Sequence, residues 1–511
     1  MANLTSVNIN GALIRKEGTT TADIQGATMF PAAHTQFTSA NISYPCAAID
    51  PNNSGKIAIG FRDNDAANKG KVRIGNIQGD NSFTWTEDSF FNGTDFADKI
   101  SIAWDYSTSP NRIVVVYADG AGGGNGKPTA RVGTLDGSDS ITWGTKKLLE
   151  DINSDASMHT SIEFDPNNAG KFAVGWNNKL AVCTISGSTI TAGTAVANGS
   201  GSAGNSSCIC WDPHDATKFL IAYEDNSSEL HARVCQVSGT TITLQAVTTI
   251  DAGRGDQIGI AADPYVANRF VVSYLRDTTD GSVRTMRVTG SAGSWTIVGS
   301  PYYDFDGSAA VTYTNVFFTT AANRFIVTYE DNSNRGVARE GTLSATTTGS
   351  PAYYTVTGWD TLVEYNPAST HMSRGTRHTV HDTQLKKFVV VYDNDNTEGA
   401  ARVGIAEHNK ITVDLSTGNY FETDLEAATD VIDTFTITET LTGTQAQTFF
   451  LKITQGSTAR QFDWSSLTHI KWPASTGPTI TATNNAVDIL KFTTYDQGTT
   501  WHGETIGQNF S

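Results

Sequence analysis

The sequence predicts an all-β protein, a seven-bladed β-propeller followed by a small antiparallel β-sandwich or jelly-roll-like domain. Three observations carry that reading. One phrase recurs seven times between residues 44 and 395. The text between copies alternates Val, Ile, Thr, Tyr and Trp with polar residues and is bounded by Gly, Asn, Asp and Ser clusters, which is a strand signature. Near residue 410 the repetition stops and a different β-rich text runs to residue 511.

Residues 1–43 carry β-like stretches that belong to no full copy, so they are expected to attach the chain to something else or to supply a strand that closes the last blade. The propeller is expected over 44–410. Each copy opens with a short apolar strand ending in Asp, turns to Lys or Arg, and continues as a strand ending in an aromatic and acids, as in AAIDPNNSGKIAIGFRD (47–63) and IAWDYSTSPNRIVVVYAD (102–119). The basic residues Lys56, Arg112, Lys171, Lys218, Arg269, Arg324 and Lys387 lie 47 to 63 residues apart, and the uneven lengths belong in loops. A third strand follows in every copy (KVRIGNI, ARVGTL, LAVCTI, ARVCQV, RTMRV, GVAREGTL, ARVGIA), and a fourth in all but the sixth, where it is less clear. Four antiparallel strands repeated seven times match a propeller. Separate four-stranded sandwiches or an open solenoid would bury less core or leave edges exposed. Asp-Pro at 50–51, 165–166, 212–213 and 263–264 reads as turn chemistry.

The last segment, 411–511, has strand-like runs at 431–440, 448–455 and 486–494. Thr494 to Trp501 fits an Asp-box, expected here to be a hairpin turn whose Trp packs on the module.

Composition narrows the function. With 35 basic and 52 acidic residues the net charge is −17, which argues against a nucleic-acid surface. No run approaches the length of a membrane span, and MANLTSVNINGALIRK shows no export signal. Cys46, Cys183, Cys208, Cys210 and Cys235 lack metal-ligand spacing and read as small buried hydrophobes. No metal or cofactor is expected. His378 and His381, flanking a short strand, read as surface residues.

The carboxyl-terminal segment resembles a module of tailed-bacteriophage structural proteins, especially tail fibres of marine and cyanobacterial phages. The resemblance rests on DLSTGNYF (414–421), TFFLKITQGS (448–457), HIKWP with PTIT (469–481), NNAVDILKF (484–492), YDQGTTWHG (495–503) and GQNFS (507–511). It covers 411–511 and not the propeller. It implies a virion component assembled in the bacterial cytoplasm, with other virion proteins as partners, a homo-oligomeric state, and a host surface glycan as receptor.

The strongest site-like pattern is the set of acids ending the second strands: Asp63 and Asp65, Asp119, Glu224 and Asp225, Asp277, Glu330 and Asp331, and Asp393 and Asp395. Such a ring on one face could hold a cation or accept hydrogen bonds from sugar hydroxyls. The favoured reading is structural, cross-strand pairing with Arg73, Arg131, Arg233, Arg287, Arg339 and Arg402. Tyr302, Tyr303, Tyr353, Tyr354 and Trp359, in the joins around the sixth copy, are candidates for stacking on sugars or for core packing. The sequence contains no H-E-x-x-H and no G-x-S-x-G, and nothing selects the arginine cluster and tyrosine of a sialidase, so no catalytic residue is assigned. The expected function is therefore binding or assembly within a phage particle, as a tail fibre or spike. The competing readings are an architectural baseplate, tail or head-decoration protein and a propeller glycan hydrolase or lyase.

Overall fold

The computed structural model describes the chain apart from residues 1–5, 10–11, 16–19, 22–28, 31, 94, 121–125, 152–158, 200–206, 278, 308–310, 321–322, 345, 361, 372–376, 396–397, 407–409, 417, 426–431, 433, 439–445, 457–458, 463, 465–466, 468 and 511. The chain divides into two compact units, Phe30–Ala406 and a second made of Met1–Met29 with Glu407–Ser511.

Phe30–Ala406 is a seven-bladed β-propeller. In blade one Ile42–Ile49, Lys56–Asp63 and Lys69–Ile77 pair antiparallel in order, and Phe83–Trp85 and Ser89–Phe90 form a broken outer strand. The same plan repeats through the ring, with Thr241–Ala262 running on as the outer strand of blade four and the inner strand of blade five. The sixth blade does have its fourth strand, Val356–Trp359, continued by the start of Val363–His371. Blade seven consists of Thr379–Asp382, Lys387–Asn394 and Glu398–Ile405, and its outer strand is Thr35–Thr38 from the amino-terminal segment. Pairing the first strand of the domain with the last closes the ring and leaves no free sheet edge there.

The strand sequences follow from their places. Second strands are buried on both faces, so KFLIAYE (218–224) and RFVVSYLR (269–276) are almost continuously apolar. The cores lie between neighbouring blades. Ile57, Ile59 and Phe61 of blade one, for example, share a cluster with Val389, Val391 and Phe37 of blade seven.

A repeated latch joins blades at the rim. Opposite the residue three positions after the basic residue that opens each second strand, the third strand carries Arg73, Arg131, Arg233, Arg284, Arg339 or Arg402. These arginines do not pair with the strand-end acids. Arg73, Arg131, Arg339 and Arg402 each donate to the carbonyl of an aromatic at the outer edge of the preceding blade: Phe37, Phe91, Phe305 and Tyr365. Those four rings lie over Gly399, Gly70, Gly281 and Gly336 of their own blades, where a Cβ would strike the ring at 2.1–2.4 Å. Arg233 reaches the Asn198 carbonyl at 3.0 Å, and Arg284 reaches the Asp251 carboxylate at 3.0 Å. The sequence reading named Arg287, which lies three residues beyond the latch position. Blade three has Ala181 there and is joined to blade two through Glu150, which accepts from Lys179 and, at 2.9 Å, from Trp176 Nε1.

In the second unit, Tyr420–Asp424, Gln447–Thr454, Val487–Thr494 and Trp501–Phe510 are successive neighbours in a six-stranded sheet, and Lys410–Asp414 pairs with Thr434–Thr438. The pairing is mixed rather than antiparallel: Tyr420–Asp424 lies parallel to Gln447–Thr454, and Thr20–Thr21 joins parallel to Tyr420–Asp424. The reason lies in chain order, since parallel neighbours need a crossover and not a hairpin. Phe435 of the smaller sheet meets Phe449 and Phe492 of the larger one at 6.2 and 5.3 Å between ring centres. The Asp-box forms the hairpin turn, with Asp496 Oδ1 accepting from Thr500 N at 2.8 Å, and Trp501 packs edge-on to Phe449. The expected boundaries at 43 and 410 therefore differ from those observed. Residues 30–43 belong with the propeller, and Met1–Met29 groups with the carboxyl-terminal unit.

Candidate functional site: the axial cavity

The strand-end acids do not form one ring of available carboxylates. Seven residues after the basic residue that opens the second strand, these blades hold Asp63, Asp119, Asp225, Arg276, Asp331 and Asn394, so Asp277 and Asp393 are each displaced from that position by one residue. Asp63 is buried against Lys71 at 2.6 Å and accepts the amides of Asp65 and Ala66 at 2.9 Å. Asp119 meets Lys146 at 2.8 Å, and burial raises its pKa against that pairing. Asp331 accepts the amides of Ser333 and Arg335 and the Arg335 guanidinium at 2.5 Å. Asp277 is exposed beside Arg276 at 3.0 Å, while Asp393 is buried.

Asp225 sits in a cluster with Glu229 and His231 whose potential ligand atoms lie within 4.8 Å of one another. His231 Nε2 is 3.2 Å from Asp225 and 3.5 Å from Glu229, much as Lys71 Nζ lies between Asp63 and Asp88 in blade one. The imidazole thus occupies the place of a hairpin cation. Burial works to raise the Asp225 carboxyl, but the Glu229 amide, His231 and the Ser227 amide hold it below its usual value.

The aromatic candidates divide. Trp359 is part of blade six, 5.4 Å from Phe325 and covered by the Arg339 guanidinium. Tyr303 is partly buried on the outer strand of blade five. Tyr302 is exposed, with Arg276 stacked 3.9 Å from its ring centre.

The concave site lies at the axis of the ring. A cavity of about 300 Å³ is lined by the ends of all seven first strands and by the turns after them. Its walls are mostly apolar: Ala48, Ala103, Phe164, Ala261 and Phe317 come from five different blades. One polar strut spans it. Arg377, leading into blade seven, places Nη2 2.8 Å from Glu163 Oε1 in blade three and donates to the Ile209 carbonyl of blade four at 3.1 Å. Glu163 Oε2 accepts the Trp211 amide at 2.8 Å, and Trp211 Nε1 donates to the Glu163 carbonyl at 3.0 Å. Burial pushes the Glu163 carboxyl up while Arg377 pulls it back, and the carboxylate keeps Arg377 charged in spite of burial.

Three more side chains complete the site. Tyr106, at the turn after the first strand of blade two, is exposed at the mouth. His381 stacks 5.1 Å from Phe317, its Nε2 is buried with no hydrogen-bond partner among the described residues, and burial lowers it to about 4. Cys210 is buried, with its thiol pushed up by burial and by Glu163. All five cysteines are buried and free. His378 is fully buried, so neither it nor His381 is the surface residue expected.

A signal for this site is present in the repeat. Two residues before the turn acid, or its equivalent, the copies read Ala48, Ala103, Glu163, Cys210, Ala261, Phe317 and Val380. A single carboxylate among small and apolar residues is the anomaly that points to the axis.

No protein-family model matches the chain, and no curated protein matches it. Among solved structures it is similar to Sqt1 from Chaetomium thermophilum, with 12% identity and a TM-score of 0.44 over 74% of this chain and 99% of that one. It is also similar to AofleA from Arthrobotrys oligospora, with 10% identity and a TM-score of 0.40 over 65% and 93%. The NanB sialidase of Streptococcus pneumoniae matches with 12% identity and a TM-score of 0.41 over 74% and 70%. Likeness at this level carries no argument about function.

Proposed function

We propose that this protein is a structural component of a tailed-bacteriophage particle. In this reading it is a tail-fibre- or spike-type surface protein, assembled in the host cytoplasm, whose propeller binds a host receptor or neighbouring virion proteins. The observation that carries the reading is the ordered set of motifs across 411–511, from DLSTGNYF to GQNFS. The shared core of the two carboxyl-terminal sheets supports describing that part as a sandwich-like module. The commitment of Asp63, Asp119 and Asp331 to ion pairs within their own blades supports a propeller that works as a scaffold for binding. A homo-oligomer with receptor or virion partners fits the same reading.

Gold-labelled antibody against the propeller, imaged on purified virions, tests it. Label on a tail appendage is the expected result. Label confined to baseplate, tail tube or head moves the assignment to the architectural role, and particles without label overturn it. One observation favours a second reading as a glycan hydrolase: Tyr106, Glu163 and Arg377 gather in the axial cavity. Sugar release from host polysaccharide that is abolished in Glu163→Gln would establish that reading in its place.

A further inference from the structure

We infer that the axial cavity is a binding site for a single neutral sugar ring, with the Glu163 and Arg377 strut as its polar anchor and Tyr106 as the stacking surface at its mouth. This deepens the receptor-binding reading above and rests on it.

The argument starts from charge. Among the described residues lining the cavity, Glu163 and Arg377 are the only oppositely charged pair, and they neutralise one another. A carboxylate-bearing ligand drawn to Arg377 would also face Glu163, and a cationic ligand would meet the reverse problem. A neutral ligand with many hydroxyls meets neither. Each hydroxyl can both donate and accept, which is what this wall asks for. Glu163 accepts from Arg377, the Trp211 amide and the Cys210 thiol, and its two oxygens have about four lone-pair sites between them. His381 is neutral above about pH 4 in spite of a hydrogen bond to the Phe318 backbone, and its buried Nε2 makes no hydrogen bond to the described residues. An unsatisfied buried nitrogen is costly, and a ligand hydroxyl would remove that cost.

Shape gives the rest. A volume of about 300 Å³ lies at the small end of the range for small-molecule sites, which suits one ring better than a chain of them. Small side chains keep the space open: Ala48 and Ala261 are nearly buried, and Ala103 is partly exposed toward it. Tyr106 retains 40% of its surface at the mouth, where an aromatic face can cover the CH side of a sugar.

Saturation-transfer NMR on the full chain with glucose, galactose, mannose, rhamnose, N-acetylglucosamine and glucuronate tests the inference, alongside adsorption to host cells. The variants are Tyr106→Ala, which alters an exposed side chain, and Ala103→Leu, which fills the cavity. Asp277→Asn serves as the control on the opposite hairpins, and thermal melting confirms that each variant is folded. The expected result is binding of at least one neutral sugar that weakens at least tenfold in both folded variants and not in the control. Binding unchanged in both variants overturns the axial site but leaves the receptor-binding reading standing if cells are still adsorbed. Failure of the intact chain to bind any of the sugars overturns the inference. Failure to adsorb to cells as well counts against the receptor reading itself. A preference for glucuronate over glucose overturns the argument for a neutral ligand.

Discussion

The rim and the axis of the propeller treat the repeat in opposite ways. At the rim, five blades place an arginine on a backbone carbonyl of the preceding blade, one places it on Asp251, and blade three closes the same gap through Glu150. At the axis, the residue two before the turn acid is Ala, Glu, Cys, Phe or Val according to the blade. A demand that recurs at every blade junction produces the same residue again. A site built from all seven blades at once makes a different demand of each. Uniformity in this chain therefore reports folding, and departure from it reports the place where something specific is assembled.

The sharpest way to break that contrast is to remove a side chain that the repeat keeps. Asp263 accepts the amides of Tyr265 and Val266 at 2.7 and 2.9 Å and binds Arg269 at 2.5 Å, and both side chains of the pair are fully buried. Arg269 also reaches Asn323 of blade six at 2.7 Å. Breaking a buried pair by deleting one partner costs about 3–5 kcal/mol, because the remaining charge is left buried. Asp263→Ala is expected to lower the denaturant midpoint by an amount of that order, and a change below about 1 kcal/mol would show that the turn acid is dispensable.

The axis should respond to pH. Burial holds His381 at about 4, below the usual 6.5 of an unfolded histidine. The folded form therefore refuses a proton that the unfolded chain accepts. The stabilisation is whole above about pH 6.5 and is lost as the pH falls through that value toward about 4, a change of at most about 3 kcal/mol. The equivalent positions in blades three and six are Phe164 and Phe318, so His381→Phe should fit and should flatten this part of the stability profile. Chemical denaturation of both proteins between pH 4 and 7 measures the difference, and parallel profiles would refute it.

A rim latch should cost less than a turn pair. Arg339 donates to the carbonyls of Phe305 and Asp360, and its stem lies partly buried against Trp359. Arg339→Met keeps most of the packing and loses the donors, for about 1–3 kcal/mol. A loss near zero would mean that interblade cores alone hold the ring.

Much of this architecture was legible because it repeats. The recurring basic residue and the alternating strands gave the blades, while residues 1–43 left attachment and closure both open until Thr35–Thr38 was seen to pair with the last blade. What escaped was register at the level of single residues. Arg284 and Arg287 both lie in TMRV-like text, and only the pairing of Val272 with Arg284 separates them. The axial site escaped for another reason. Glu163 and Arg377 are more than two hundred residues apart and meet only because the ring closes. The parallel pairing in the carboxyl-terminal unit was hidden too, since strand text is the same whichever way a neighbour runs.

The smallest effect discriminates most finely between two residues that the sequence treated alike. Asp63 and Asp277 both end a second strand, but Asp63 is buried on Lys71 and caps its turn, whereas Asp277 is exposed beside Arg276. Asp277 also has φ of 56°, a conformation that Asn adopts as readily as Asp. Asp277→Asn should therefore leave both strain and packing unchanged and alter stability by less than about 0.5 kcal/mol, as surface ion pairs do. Asp63→Asn keeps an oxygen for the turn amides but removes one of the two carboxylates flanking the buried Lys71 ammonium, at about 1–3 kcal/mol. Urea unfolding of the pair, read as a difference, decides whether strand-end acids form one class. Equal effects would restore the uniform ring. A gap of the expected size would confine the structural role to those acids that stand seven residues after the basic residue opening the second strand.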